Sequence, residues 1–577
     1  MTLIVSRKPL AVVKGIFFPL RRSKMRALGV FALISSAAAV TVCVVEDPSA
    51  PSGVRAVNGA CGSSTAALAY GSYVDSANST GWDVLDITAN SSAPATLASF
   101  AAGFAEGYLT VSVSEMYASN TGALDANSKK LQKFLDENLA WTDAQVSANP
   151  TDSYWAAVGS VLAQMRGLSA GNAAAGGSLT FSDVYNAIIQ GGDIFNLAAV
   201  YGASDAQISR GSIAARAAAG RYDHCSALVR LTPGNADIAI AHTTWSGFEN
   251  MQRILKRYDI DAAAPGRFVA LSGYPLLMQY SSDDFYVLSS GLVTLETTID
   301  NDNITLAQEF ASTEVVLEWL RNVVANRLAT DGPSWATIFS KYASGTYTNS
   351  WMIVDTNIFS PGSPPPPNTL TVVEEMPGNI RVHDRTPELV AGSWPSFNVP
   401  SDPYIFNISG QQALVDKYGG ITSVGAFFSF TNTSRRRIFD RGAPSVSDNL
   451  SMRAMIRYNE FTTDPLSTLG CGTNPPYSAT NAIADRSDLN ERGGDYVLAD
   501  ELGFGDSAGI DAKVTLASWV KRASTVDGKL PFEAQSGPTI TTSCPAFEWS
   551  TSKLDKKVPH TGQVDKWEFD WVTSPFE

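Results

Sequence analysis

The feature that most constrains this chain is a change of texture near residue 225, where helical periodicity gives way to strands. Upstream, residues 96–110 (TLASFAAGFAEGYLT), 129–139, 153–168 and 181–201 repeat aromatic and small apolar side chains at helical spacing. Asp152 or Ser153 is placed to cap one of these helices and Ser182 another, while GWDVLDI after Thr80 reads as a strand. Downstream, CSALVRL (225–231), ADIAIAH (236–242) and residues 285–299, 350–359 and 370–378 are β-branched, aromatic or alternating. PGSPPPPN (361–368) is a stiff loop between two of these strands rather than a domain linker. Helices followed by strands predict an α+β fold, with helices layered on antiparallel sheets. No composition shift or long linker interrupts the 577 residues, so 46–577 is expected to form one large domain, helix-rich over 46–224 and β-rich over 225–577.

The junction itself, residues 203–224 (ASDAQISRGSIAARAAAGRYDH), offers few large apolar side chains to a core and reads as exposed and protease-accessible. An ordinary surface helix is the plainer reading, in which Arg210, Arg216 and Arg221 are solvated charges.

At the N-terminus Arg7, Lys8, Lys14, Arg21, Arg22, Lys24 and Arg26 precede an uncharged, mostly apolar run over 27–45. Residues 1–45 therefore have the form of a signal peptide, and the small residues Ser35 to Ala39 suit its removal. The run is also long enough to stay as a membrane anchor. Six sequons, at Asn78, Asn90, Asn303, Asn407, Asn432 and Asn449, fit a glycosylated protein that is lysosomal or secreted. With 42 Lys+Arg against 56 Asp+Glu, the net charge of -14 argues against nucleic acid as a partner, because neutralising phosphates needs a basic surface.

Five cysteines are too few for a disulfide scaffold. Cys43 lies in the apolar run and is expected to leave with the leader or sit in the anchor. Cys471 and Cys544, in Pro/Gly/Thr-rich loop sequence, are the favoured disulfide, with Cys61 as the alternative partner. Cys225 opens an apolar strand and is either a buried structural thiol or a nucleophile.

Thr232-Pro-Gly-Asn235 is a turn sequence between two short strands, which predicts a hairpin. If Leu231 pairs with Ala236, then Cys225 faces His242 at about 5 Å between Cβ atoms, and imidazole beside thiol suits an activated thiolate. A slip of one residue would separate them, and two packed core residues are the plainer reading.

The run DHCSALVRLTPGNADIAIAHTTW resembles the phospholipase B-like (lamina-ancestor) family, and so do, in order, TGWDVLDI, AGFAEGYLT, DDFYVLSSGLVTLETT, IFSKYASGTYTNSWMIVD, WPSFNVP, IFNISG, MRAMIRYNEFTTDPLS, NAIADRSDLN, GIDAKVT and FEWSTS. The resemblance implies a four-layer αββα sandwich of the N-terminal nucleophile hydrolase type. It also implies a precursor that cuts itself between His224 and Cys225, leaving the two fragments associated; a homodimer is among the assemblies it allows. Self-cutting needs Cys, Ser or Thr at the new terminus, and the freed α-amine can then serve as base for the thiol, so no metal or cofactor is required.

By the same resemblance Cys225, His242 and Asn398 are the catalytic candidates, with Asn398 a donor to the oxyanion, and Trp245 and Arg435 are candidates for substrate binding. Asn398 could equally be an ordinary turn residue, Arg435 to Arg437 with Arg441 a solvated turn, and Asp488 a structural cap. The implied activity is removal of fatty acyl groups from phospholipids. An amidase acting on N-acyl lipids or peptides, and a non-catalytic lipid-binding protein, are the alternatives.

Overall fold

The larger of two main sheets is assembled from both sides of the texture change. From edge to edge its eleven strands are Asn379–Asp384, Leu370–Met376, Asn349–Asp355, Leu292–Thr298, Phe285–Leu288, Phe268–Gly273, Ile254–Asp259, Asp83–Ala89, Ala67–Val74, Val40–Glu46 and Val54–Asn58. Every neighbouring pair is antiparallel except one: Asp83–Ala89 runs parallel to Ile254–Asp259, in register from Asp83↔Ile254 to Thr88↔Asp259. That single ladder joins the strands that precede Cys225 to those that follow it. An Arg257–Asp86 ion pair at 2.5 Å reinforces it. The computed structural model describes residues 38–59, 67–210, 224–261, 263–281, 285–523 and 529–576. Residues 1–37, Cys61 and residues 211–223 with Arg216 and Arg221 lie outside them; of the junction the described start is a helix over Asp205–Arg210.

The smaller, seven-stranded sheet runs Ser393–Ser396, His224–Leu231, Ile238–Gly247, Asp511–Leu516, Glu533–Ser536 and Val572–Thr573, with Ser507–Gly509 also paired to Ile238–Gly247. One face of it puts Ala227, Val229, Leu231, Ile238 and Ile240 into a common core with Leu255, Ala270, Val287, Val293 and Leu295 of the larger sheet. The alternation of side chains along a strand sends Leu228, Ala239, Ala241 and Val514 the other way. These pack on Ile438, Phe439, Met452 and Ile456 from the helices Ser434–Gly442 and Asn449–Ile456. The far face of the larger sheet is covered by the helix Ala95–Leu109 and by Trp335 and Phe339.

Ala95–Leu109 and Ser153–Ala174 approach more closely than ordinary side chains allow. A Cβ on Gly103 would lie 1.9 Å from the Gln164 carbonyl oxygen, and one on Gly167 would lie 1.9 Å from that of Phe100. The small residues seen as helical spacing in the sequence are therefore a backbone contact surface.

The strand Val40–Glu46 corrects the N-terminal boundary. Val42, Cys43, Val44 and Val45 are buried in it, and Cys43 is disulfide-bonded, so these residues belong to the folded body and do not leave with a leader. Residues from Ala38 onward form one compact unit. β-branched Val and Thr alternating about a Cys make a strand as readily as an apolar leader segment, and pairing with Ala67–Val74 and Val54–Asn58 decided between them.

The helices differ from expectation in two places. Asp152 caps Ser153–Ala174, accepting from the amides of Tyr154 and Trp155, but the second cap is Thr180, in a reciprocal box with Asp183, and not Ser182. The predicted helix over 181–201 is two, Phe181–Gln190 and Ile194–Tyr201, broken at Gly191 and Gly192. The break directs Asp193 to the amides of Glu318 (2.8 Å) and Trp319 (3.1 Å) at the start of another helix.

Cys471 and Cys544 are both free thiols, so the favoured bridge does not form. They sit in different packing clusters: Cys544 with Phe461 and Ala479, Cys471 beside Tyr496 and Leu498. Burial pushes both thiols up, to about 12 for Cys471 and about 11 for Cys544.

Candidate active site around Cys225

The hairpin forms, with a register different from the expected one. Its loop is six residues long, Thr232 to Asp237, because the Thr232 amide donates to the Asp237 carbonyl (2.9 Å) and the Asp237 amide donates to Thr232 Oγ1 (2.8 Å). Gly234 and Asn235 take the positive φ values, 71° and 56°, that the tight turn requires. Pairing thus begins at Leu231↔Ile238, and Cys225 lies opposite Thr244, while His242 lies opposite Ala227. The two-residue shift keeps Cys225 and His242 on one face and removes them from direct opposition. His242 Nε2 lies 2.9 Å from the carbonyl oxygen of Glu296, in the larger sheet, so this ring ties the two sheets together.

On the face turned toward the larger sheet, Cys225 is 4% exposed. Thr244 Oγ1 accepts from Lys513 Nζ at 2.6 Å. Lys513 is paired with Asp511 at 2.8 Å, and Asp511 with Arg253 at 2.7 Å, all three wholly buried. A small cavity reaches Cys225 and Thr244 here, lined also by Tyr117, Phe195, Tyr274 and Tyr347.

The residue-225 peptide itself is held at both ends. Its amide donates to Asn398 Oδ1 at 3.0 Å, and its carbonyl accepts from Arg435 Nη1 at 2.7 Å. The same Nη1 donates to Asn398 Oδ1 at 2.7 Å. Asn398 sits at φ 71°, a left-handed conformation that asparagine tolerates better than most residues, and its Nδ2 donates to the Thr298 carbonyl at 2.8 Å. Asn398 thus presents an acceptor to the Cys225 nitrogen, which differs from the oxyanion donor expected of it.

Trp245 is a platform in this arrangement. The Arg435 guanidinium lies 4.4 Å from its ring centre, His224 meets it edge-on at 6.3 Å, and its Nε1 donates to the Ile483 carbonyl at 2.9 Å. Burial, together with the Arg435 charge, pushes the His224 imidazole down to about 3, so it is neutral beside the Cys225 peptide. Burial also lowers Arg435, to about 10, which leaves it cationic at physiological pH.

The structure therefore brings together His224, Cys225, Trp245, Asn398 and Arg435, and leaves His242 to one side. Of the neighbouring basic residues, Arg436 pairs with Asp440 and Arg441 with Asp464. Asp488 holds Arg486 at 2.9 Å and 3.0 Å rather than capping a helix by its side chain. Sequence reasoning missed Thr244, Lys513 and Asp511. Thr244 could have been found by closing the turn two residues later; Lys513 and Asp511 arrive from a strand far along the chain and carried no local signal.

The family model described as Phospholipase B matches residues 69–574. The chain is 37% identical over 537 residues to the Mus musculus protein named "Putative phospholipase B-like 2", covering 89% of this chain and 85% of that protein. It is 34% identical over 529 residues to "Phospholipase B-like protein B" of Dictyostelium discoideum, covering 89% of this chain and 86% of the other.

Proposed function

The chain belongs to the phospholipase B family, and on that premise we propose that it is a self-processing acyl hydrolase whose nucleophile is the thiol of Cys225. The observation that carries this reading is the clamp on residue 225. A nitrogen held by Asn398 and a carbonyl held by Arg435, in a strand that begins where the two parts of the chain meet, is the support an N-terminal nucleophile needs. The buried cores on both faces of both sheets are those required of an αββα sandwich of the N-terminal nucleophile type.

In maturation, Cys225 Sγ attacks the His224 carbonyl carbon. The C–N bond breaks as the nitrogen takes up a proton, and an S-acyl thioester remains. Water hydrolyses it, restoring the thiol and leaving a carboxylate on His224. The freed α-amine, with an ordinary pKa of about 8, then serves as base toward the thiol. Donating one hydrogen to Asn398 Oδ1 leaves its lone pair available, and the nearby Arg435 charge disfavours the ammonium form. The reacting carbonyl of a substrate would meet the thiol beside the small cavity walled by Phe195, Tyr274 and Tyr347. Ester and amide acyl groups both meet the same residues.

The two fragments are held together by the parallel ladder between Asp83–Ala89 and Ile254–Asp259 and by contacts such as Asn138 Nδ2 to the Val315 carbonyl at 2.7 Å. We place the protein in the secretory route or lysosome: the basic and apolar leader survives as residues before Val40, and the sequon residues Asn78 and Asn407 are exposed. With Val40–Glu46 in the sheet, the apolar run left over is shorter than the about 20 residues that span a bilayer, which favours a cleaved leader. Among the described residues no helix is long and apolar enough to cross a membrane.

N-terminal sequencing tests the reading. The wild-type chain should yield a fragment beginning at Cys225, Cys225→Ala should stay whole, and matured protein should release fatty acid from acyl lipids. A fragment starting elsewhere, or undiminished hydrolysis by Cys225→Ala, would overturn it.

A further inference from the structure

Beside His224, on the side away from the aromatic cavity, lies a cleft walled by Asp300, Asp302, Asp485 and Glu501, with Trp245 and Phe428 as its apolar faces. Two of these carboxyls are incompletely satisfied. Asp485 is 1% exposed; its Oδ2 accepts from the Ser507 hydroxyl at 3.0 Å and the Thr480 hydroxyl is near enough to hold its pKa down somewhat, but its buried Oδ1 makes no close hydrogen bond. Asp300 Oδ1 is likewise buried without a hydrogen-bond partner, facing the neutral His224 ring at 3.9 Å. An oxygen left without a donor keeps its desolvation penalty uncompensated, so two of them lining one cleft mark a place for a ligand that donates.

Burial raises Asp485 to about 7, Asp302 to about 6 and Asp300 well above the usual carboxylate range, so a cation entering the cleft, where Lys557 also stands on the wall, would be favoured by all three. Among the described residues no three His, Cys, Asp or Glu side chains converge as metal ligands, so the spacing suits a larger organic cation. Oxygens that lack donors also select among organic cations, because a quaternary ammonium carries no N–H while a primary ammonium carries three.

The geometry points to a subsite for a primary-ammonium group of the substrate, held by Asp300 and Asp485 and flanked by Trp245 and Phe428. It rests on the acyl-hydrolase reading for its purpose: His224 and Trp245 wall both this cleft and the clamp on Cys225, so release of the bond after His224 joins the cleft to the thiol.

Three non-hydrolysable probes test it: dodecyl 2-aminoethyl ether, its trimethylammonium counterpart and its 2-hydroxyethyl counterpart, titrated calorimetrically into the matured protein at about pH 8, where an alkylammonium is still charged. The primary ammonium should bind at least roughly tenfold more tightly than either of the others, and the preference should vanish in Asp300→Asn with Asp485→Asn. Each single variant should halve or better the ratio, which keeps the test open if the double variant does not fold. Equal affinity for the three probes, or a preference that survives the substitutions, overturns the subsite. Because the probes are ethers, that result is independent of turnover, whereas failure of the hydrolase reading is seen in the N-terminal sequence and the fatty-acid assay.

Discussion

The two faces of the Cys225 hairpin bury charge in opposite ways. Toward the larger sheet, Lys513, Asp511 and Arg253 form a paired chain whose ammonium steadies Thr244 across from Cys225. On the side of His224, Asp300 and Asp485 keep carboxyl oxygens without donors, and Arg435 is committed to the Cys225 carbonyl and Asn398. A buried charge with its partner holds a structure in place; a buried charge without one costs stability and is retained where a ligand supplies what is missing. The difference assigns architecture to one face and recognition to the other.

The sharpest way to break this contrast is Lys513→Met. It leaves Asp511 with one cation in place of two and strips Thr244 of its donor, and breaking a buried pair of this kind costs about 3–5 kcal/mol. Thermal unfolding in the Cys225→Ala background, where the chain should stay whole, should show the largest drop of the substitutions considered, and a change smaller than that of Asp485→Asn would abolish the distinction. Next in size is Arg435→Gln. Removing the cation beside the α-amine should raise the amine's pKa by roughly one unit, moving the acid limb of the kcat/KM profile to higher pH. An unmoved limb would mean that the amine is not the base.

Asp485→Asn should change stability little at acid pH and alter its pH dependence. The folded-state pKa, raised by burial to about 7, exceeds the ordinary carboxylate value, so the wild-type carboxyl favours the folded state below about pH 4 and loses that contribution as pH rises through 7. Denaturation midpoints of the variant should fall less than those of wild type across that window. The smallest effect is expected of His242→Gln, whose amide can still reach the Glu296 carbonyl. Self-cutting should proceed at close to the wild-type rate, and a loss of tenfold or more would return His242 to the nucleophile's side.

Much of the fold was legible because it is local. The helices over Ala95–Leu109, Lys129–Ala148 and Ser153–Ala174 follow from the spacing of their apolar residues, and the Cys225 strand from its β-branched run and the turn after it. The errors share a cause. VTVCVVE suits a leader and a strand equally, TPGN closes a four- or a six-residue loop with equal ease, and two cysteines in similar loops need not meet. In each case the choice rested on a partner distant in the chain.

For the site, the amino-acid sequence alone determined that residue 225 is a thiol opening a strand, that a histidine and a tryptophan follow on the next strand, and that Asn398 and Arg435 stand in motifs resembling those of one family. Only the tertiary structure decided that Asn398 offers its oxygen rather than its nitrogen, that Thr244 rather than His242 faces the thiol, and that carboxyls from residues 300 and 485 meet in one cleft. The division is physical. Chemical identity and short-range periodicity are written residue by residue, whereas register, amide orientation and the gathering of distant charges are settled by which pairings bury the most apolar surface with the fewest polar groups left unsatisfied.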